Sequence, residues 1–470
     1  MSYAQFKDLV KEAVDEFRKI PKTATVRVVS HLDCDGICAV SLMIKALMED
    51  HRVYALSIIQ QLNLEVLHEL AKEEHEYVIF TDLGSGVVDQ IARVLVHKKV
   101  FVFDHHELAS PAAYPNIVHV NPHRVGINGS KEISGAGVTY MFVKEYNPKL
   151  EPLAYLAIIG ALGDIQDSEG FLPLNQEILK LAEIHGTMEV RKGLRFFGVH
   201  TRPIHKALEY CNDPFIPGVT GSESAAIQFL QDLNIPPKQG KEWRTFSDLT
   251  EDERKRLALH IIMRRHKEKL PDDVFGDIYV LPQETTYPQF KDAKEFSTVL
   301  NACGRLQKAS VGIGACLNDP VFKKKAVTAL LQYRREIVDA LKWYRENQNT
   351  FIRGERYLII NAESNVLPTM IGTMASILAK SGELPEYTYI LSMARSANKS
   401  TKVSLRIACM QAPEHVDLHG LIMRIVSRVG GESGGHANAA GAIIPTEFEQ
   451  KFIEQAKAVL SQAALEEQIS

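Results

Sequence analysis

Short apolar runs bounded by polar turns alternate, along the first part of the chain, with stretches whose apolar residues recur at helical spacing. Residues 25–30, 52–59, 77–81 and 100–103 have the length and the β-branched or aromatic content of buried strands. Between them, residues 37–48, 63–73 and 87–96 carry the period of helices, and residues 1–19 supply another in front. Strands alternating with helices predict βαβ units and therefore an α/β fold with a doubly wound, mainly parallel sheet. A short strand at 117–120 and helices at 137–145 and 152–162 follow.

From 175 to 269 the pattern is mostly helical, interrupted by the turn-rich 214–218 and by Pro236-Pro237, and it ends in a basic amphipathic piece, 254–269. Pro271-Asp272-Asp273 reads as a boundary. A second α/β pattern then begins, with strands at 274–281, 357–361, 387–393, 403–408 and 442–444. Its helices fall at 291–306, 320–347, 369–380 and 418–429, and a glycine-rich loop occupies 430–441. The expected organisation is three regions: a first α/β domain over 1–174, a helical middle region over 175–270 and a second, smaller α/β domain over 271–470. A cleft between the two α/β domains is expected.

At 470 residues the chain exceeds what one core holds. Apolar content of 45% and charged content of 24% are those of a soluble globular protein. Lys+Arg 54 against Asp+Glu 58 leaves a net charge of −4, so no global basic charge marks a nucleic-acid binder. A local excess exists, however: between 391 and 428, Arg395, Lys399, Lys402, Arg406, Arg424 and Arg428 meet only Glu414 and Asp417. That excess is what phosphate-backbone binding needs. Cys34, Cys38, Cys211, Cys303, Cys316 and Cys409 lack paired zinc-type spacing and read as reduced, structural thiols of a cytoplasmic protein. The amino terminus has no signal-peptide pattern, and the longest apolar stretch, 153–162, is too short to span a bilayer, so no membrane is expected.

The chemistry collects where strands stop. His31-x-Asp33-x-Asp35-Gly36 follows the first strand, Asp82 the third, Asp104-His105-His106 the fourth, and Gly163-Asp164 ends helix 152–162. In open α/β sheets a crevice forms outside the carboxyl ends of the strands. Carboxylates crowded there without a cation repel and raise one another's pKa. Divalent metals remove that penalty; the mixture of carboxylate and imidazole suits Mn2+ best, with Mg2+, iron, Co2+ and Zn2+ as alternatives. Two ions about 3.5–4 Å apart can clamp a phosphoryl group and supply hydroxide near neutral pH. Each residue alone has a plainer use: Asp33 as a helix N-cap, His31 as a structural histidine, Asp82 as a turn residue.

Taken in order, these pieces resemble the four motifs of the DHH phosphoesterase superfamily, over about the first third of the chain. The resemblance implies that His31 and Asp33 hold one metal, that Asp35, His105 and Asp164 hold the other, and that Asp82 bridges them. It implies further that His106 contacts the scissile phosphate or assists the leaving group, with Asp104 orienting the imidazoles. Asp167 receives no role from it and reads as a helix cap.

Gly434-Gly435-His436, followed by Ala-Asn-Ala-Ala-Gly441, is similar to the signature of the DHH-associated nucleic-acid-binding domain. Adjacent glycines let a backbone approach a phosphate and present N–H donors. Arg395-Ser396 and Arg406 place cations at or beside strand ends as that domain type does. Asn301-Ala-Cys-Gly304-Arg305 resembles a RecJ-type element, which puts Arg305 near substrate. Length and the 214–221 segment resemble the archaeal RecJ-like, GINS-associated nuclease type, which spans nearly the whole chain. That resemblance implies a two-metal exonuclease on single-stranded DNA, 5′→3′, in replication or repair, bound to the GINS complex and replicative helicase. RNA as the strand, a phosphodiesterase for short oligonucleotides or cyclic dinucleotides, and a mainly scaffolding subunit of the helicase complex are the alternatives. The eukaryotic RecJ-derived helicase subunit has lost metal ligands; the full set is present here.

Overall fold

The computed structural model describes residues 2–211, 214–268, 270–409, 416–436 and 438–469, with the side chains of 436 and 466–469 outside that description. The chain divides into two compact units, Met1–Leu330 and Leu331–Ser470.

Strands β1 (Val26–His31), β2 (Tyr54–Ile59), β3 (Tyr77–Thr81), β4 (Lys99–Phe103) and β5 (Ile117–Val120) form the core of the first unit as one parallel sheet, order β2-β1-β3-β4-β5. Val100, Phe101, Val102 and Phe103 are fully buried because helices cover both faces. On one face Phe17, Phe101 and Phe142 meet edge to face at centroid separations of 5.5–5.7 Å. The other carries Leu67, Leu70, Ile91 and Leu95. The chain order reverses between β1 and β3, which is where a doubly wound sheet opens its crevice. Register then fixes what lines it. Ser30 pairs with Thr81, and Thr81 with Phe103, so His31, Asp82 and Asp104 leave the sheet at one level.

The middle of the chain is helical as its pattern predicts, through Pro173–Ile184, Ile204–Glu209, Glu223–Asp232 and Glu251–Arg264, and it adds two short antiparallel pairs. Residues of β6 (Glu189–Leu194) pair antiparallel with β9 (Phe275–Val280), and β7 (Lys238–Gln239) with β8 (Glu242–Trp243). Mixed polar and charged residues along β6 give it no apolar alternation, which is why it reads as something else in sequence. The segment around 274–281, expected to open the second α/β domain, therefore closes onto the middle region, and residues up to 330 pack with the first unit. The basic amphipathic piece is the helix Glu251–Arg264, begun by a capping box of Thr250 and Glu253.

The second unit is a six-stranded mixed sheet, order β10-β11-β12-β13-β15-β14. Its strands are β10 (Ile352–Arg353), β11 (Tyr357–Asn361), β12 (Tyr389–Arg395), β13 (Ser400–Ile407), β14 (Glu432–His436) and β15 (Ala439–Pro445). Only β11 and β12 pair in parallel. Helix Pro368–Lys380 covers one face, and helices Leu418–Val429 and Glu449–Ile469 the other. The glycine-rich stretch expected as a loop is instead the hairpin β14–β15: with no side chains to pack, glycines hide a strand from pattern reading. Ala437 lies outside the described residues. All six cysteines are unbridged, and all but Cys409 are buried. Among the described residues no helix is long and apolar enough to cross a membrane.

Candidate metal centre

Strand β1 ends at His31, and after two intervening residues helix Cys34–Glu49 begins. Asp33 is the N-cap, its Oδ1 accepting from the Gly36 N–H at 3.0 Å. Its other oxygen remains for the crevice, where Oδ2 stands 2.9 Å from His31 Nδ1. The plain and the functional uses of Asp33 are thus both realised, one on each oxygen. Asp35, in the first turn, is buried: Oδ2 accepts from Gly135 N at 2.6 Å and Oδ1 from Ala136 N at 3.0 Å. These donors open helix Gly135–Tyr146, whose positive end favours an anion. Burial, followed by the charge of Asp82, nevertheless pushes the Asp35 carboxyl up to about 7.

Asp82 sits in the left-handed region at φ 58°, a conformation uncommon for a residue with a side chain. Both its carboxylate oxygens are buried and neither has a hydrogen-bond partner. His31 Nδ1 is likewise buried without one, although it lies 3.5 Å from Asp82 Oδ2. Buried polar atoms that converge without well-directed hydrogen bonds are what an ion satisfies.

Asp104 is satisfied instead. Its Oδ1 accepts from His105 N at 2.8 Å and lies 2.7 Å from His106 Nδ1, while Oδ2 accepts from Ser85 N at 2.8 Å. Burial alone would raise this carboxyl, but His106, His105 and the Ser85 N–H outweigh it and hold it well below the usual range. His105 Nδ1 donates to the Gly129 carbonyl at 2.9 Å, which directs the Nε2 lone pair into the crevice. There Nε2 is 3.3 Å from Asp164 Oδ2, 3.4 Å from Asp82 Oδ1 and 3.7 Å from Asp35 Oδ2. Burial and the Asp35 charge hold the Asp164 carboxyl well above its ordinary value. His106 is the more open imidazole, its side chain 39% exposed.

The ligand atoms fall into triads within mutual reach of 4.8 Å: His31, Asp33 and Asp82; Asp35, His105 and Asp164; and Asp82, His105 and His106. The donor set therefore fits two divalent ions sharing Asp82, and the orphaned atoms of Asp82 and His31 are the observation that carries the fit. Several contributors carry no side-chain chemistry and were invisible to motif reading. A Cβ on Gly135 would strike Asp82 Oδ1, and one on Gly160 would strike Asp35 Oδ1. Behind His105, Gly129 O also accepts from Gln166 Nε2 at 3.0 Å, and Gln166 Oε1 from Asn175 Nδ2 at 2.7 Å. The only sequence signal was the run of small residues Ser134-Gly-Ala-Gly137. Asp167 is no solvated cap; it pairs with Lys294 at 2.6 Å.

Helix Ala293–Arg305 brings the Asn301–Arg305 element to the metal loop. Asn301 Oδ1 accepts from Cys34 N at 3.0 Å, and the Arg305 charge contributes to lowering Asp33. In the second unit the residues expected at substrate are spread along the sheet. Arg395 and Ser396 lie at the end of the sheet where β12 turns into β13; Arg395 is bound to Glu449, with Nη2 to Oε2 at 2.8 Å and Nε to Oε1 at 3.0 Å. Arg406 lies toward the opposite end, level with Ile390, and Gly434 and Gly435 lie between, level with Ser392 and Leu391. Five residues of strand, about 17 Å, separate Arg395 from the level of Arg406. Arg406 is held as well, with Nε on Ser376 Oγ at 2.9 Å and Nη1 on Leu405 O at 2.8 Å, so both arginines are positioned by the protein's own groups. The His436 side chain lies outside the described residues.

Residues 25–161 match the DHH family, N-terminal domain, residues 196–277 the DHH-CID domain and residues 354–462 the DHHA1 domain. A protein of Methanocaldococcus jannaschii, described as uncharacterized, is 27% identical over 452 residues, 93% of each chain. Among solved structures, RecJ of Thermus thermophilus in complex with Mn2+ superposes with TM-score 0.57 at 14% identity over 98% of this chain, which spans 55% of that one. CDC45 of Entamoeba histolytica superposes with TM-score 0.62 at 12% identity over 98% of both chains. At these identities the structures establish a shared fold. With its DHH, DHH-CID and DHHA1 segments in that arrangement, the chain belongs to the DHH phosphoesterase superfamily.

Proposed function

We propose that this phosphoesterase is an exonuclease acting on single-stranded DNA from the 5′ end, with two divalent ions, Mn2+ foremost, held by the centre described above. The observation that carries the reading is the pair of partnerless carboxylate oxygens of Asp82, buried between two triads of ligands. Ions bound there would neutralise the phosphate and make hydroxide available near neutral pH. The chain's own groups do the rest. Asp104 holds His106 by Nδ1, and the Asp104 charge outweighs burial and raises the imidazole, so His106 is able to carry a proton to the departing oxygen. Arg305, beside Asp33, supplies positive charge where the phosphate arrives. Arg395, Ser396, Arg406 and the glycines of β14 are the second unit's candidate phosphate contacts, with Arg406 fastened beside β15 by its bond to Ala440 O.

Strands of DNA and RNA labelled at the 5′ or 3′ end, incubated with Mn2+, Mg2+ or a chelator, test this reading, with a dinucleotide in parallel. Stepwise loss of the 5′ label from DNA with Mn2+, abolished by chelator and in Asp82→Ala without loss of strand binding, supports it. Faster turnover of the dinucleotide than of the strand replaces it with a short-oligonucleotide phosphodiesterase.

A docking role in a replication complex is a second reading, favoured by one feature of the middle region. A cavity of about 560 Å³ beside β6 and β9 has an apolar lining that includes Phe246, Leu259 and Phe275, and Arg191, Lys192 and Lys255 at its margin. Leu259 is 56% exposed and Phe275 45%, an arrangement suited to an acidic amphipathic segment such as a GINS subunit could offer. Binding of purified GINS complex, lost in Leu259→Asp, is the expected result; unchanged binding in that variant rules the groove out.

A further inference from the structure

Helix Ala154–Gly163 is capped by the metal-ligand candidate Asp164, and the chain leaves it through two bonds, Ile165 N to Leu162 O at 3.2 Å and Gln166 N to Ala161 O at 3.0 Å. This is a Schellman closure, with Ile165 at the position that calls for the left-handed conformation and is usually glycine. Ile165 adopts it, at φ 59°, and is the only β-branched residue with positive φ among the described residues. Crowding at Cβ makes that conformation a genuine outlier for isoleucine. Neither packing nor the cap explains the choice. The side chain is 70% exposed, and the apolar contact that accompanies such a closure belongs to the neighbouring position.

The residues around it are all pinned. Asp164 Oδ2 reaches His105 Nε2 at 3.3 Å, Gln166 is buried on Gly129 O, and Asp167 is paired with Lys294. Ile165 alone is left exposed, one residue from a candidate metal ligand. An exposed apolar group there has nothing to offer a phosphate. It can cover the sugar or base that a phosphate carries. We infer that Ile165 is a specificity residue: its side chain forms an apolar shelf for the nucleoside flanking the scissile phosphate, so the centre prefers nucleotide phosphodiesters over phosphates without an organic neighbour. The inference rests on the nuclease reading above and adds the group that recognises the nucleoside.

Ile165→Asn and Ile165→Gly separate the shelf from a structural role, because both residues suit the left-handed region. Each variant is expected to raise Tm by about 2–4 °C through relief of strain. Each is also expected to raise KM for a labelled single strand about five- to tenfold, the loss of one buried aliphatic group, with kcat nearly unchanged. Ile165→Leu restores KM. On a strand whose terminal nucleotide is abasic, the KM ratio between variants and wild type should fall toward one, since only the sugar remains to be covered. Anisotropy of a labelled oligonucleotide, read in parallel, should give the same ratio in Kd. Wild-type KM and Kd in both variants would overturn the shelf. If the wild type binds the strand without cleaving it, the nuclease reading fails and the Kd ratio alone decides the shelf; if it does neither, both fall.

Discussion

Gly135→Ala is the perturbation whose consequence follows most directly from the coordinates. Gly135 opens the helix that donates to Asp35, and it lies against Asp82. A Cβ there would fall 2.6 Å from Asp82 Oδ1, 2.8 Å from Asp82 Cβ and 2.9 Å from Asp82 Cα, where ordinary contact begins near 3.4 Å. Asp82 would have to retreat by about 0.8 Å, or the helix would have to back away and stretch the 2.6 Å bond from Gly135 N to Asp35 Oδ2. Neither is easy. Asp82 is held at φ 58° with little conformational freedom, and the helix is buried along Gly135–Val143. Catalytic constellations tolerate about 0.5 Å, and a displacement near 1 Å costs on the order of 100-fold in rate. We therefore expect Mn2+-dependent hydrolysis to fall by about two orders of magnitude, with Mn2+ binding weakened in calorimetry and overpacking of about 1–3 kcal/mol visible in denaturant titration. Gly137→Ala is the control: its Cβ would meet Ile133 Cγ1 at 2.5 Å, a side chain outside the donor set, so stability should fall while Mn2+ affinity is kept. Wild-type Mn2+ affinity and rate in Gly135→Ala would refute the shared-carboxylate geometry.

Gln166→Leu removes one of the two donors to Gly129 O and strands Asn175 Nδ2, so Mn2+ affinity should drop about 10–100-fold by calorimetry; an unchanged isotherm would show that His105 needs no such support. Glu295 is 2% exposed with Oε1 unpartnered, and burial pushes its carboxyl up to about 7. Its folded pKa lies above the unfolded one, so its stability contribution is intact below pH 4.5 and is lost as pH rises through about 7. Glu295→Gln should thus flatten stability between these limits and gain up to about 3 kcal/mol at pH 8; parallel pH profiles for variant and wild type would contradict this. Arg395→Ala breaks the pair with Glu449, whose side chain is 8% exposed, and should destabilise the second unit by about 1–2 kcal/mol with strand affinity nearly kept. Arg406→Ala should instead weaken strand binding and lower the salt slope by about one, and the reverse assignment of the two effects would show that the wrong cation was chosen.

The parallel sheet was legible because strands buried on both faces must be continuously apolar, and Val100–Val102 are. The polar residues at their ends were legible for the converse reason: His31, Asp82 and Asp104 have no place in a core, so only a crevice accounts for them. What stayed hidden was carried by backbone. The donors to Asp35 are N–H groups of Gly135 and Ala136, and the anchor of His105 is a carbonyl, none of which depends on side-chain type. Strand β6 was hidden because Arg191, Lys192 and Gly193 break any alternation, and its pairing with β9 spans more than eighty residues of chain. The pairing of Arg395 with Glu449, fifty-four residues on, was likewise out of reach of local pattern.

The central claim is that one buried carboxylate, Asp82, serves two ions that together cut a nucleic-acid strand. End-labelled single-stranded DNA, digested by the full chain with Mn2+ and with a chelator, and by Asp82→Ala with Mn2+, tests it most directly. The account predicts stepwise release from the 5′ end in the first condition alone, with the strand still bound by the variant. Cleavage that survives the chelator, or that proceeds at the wild-type rate in Asp82→Ala, would contradict it.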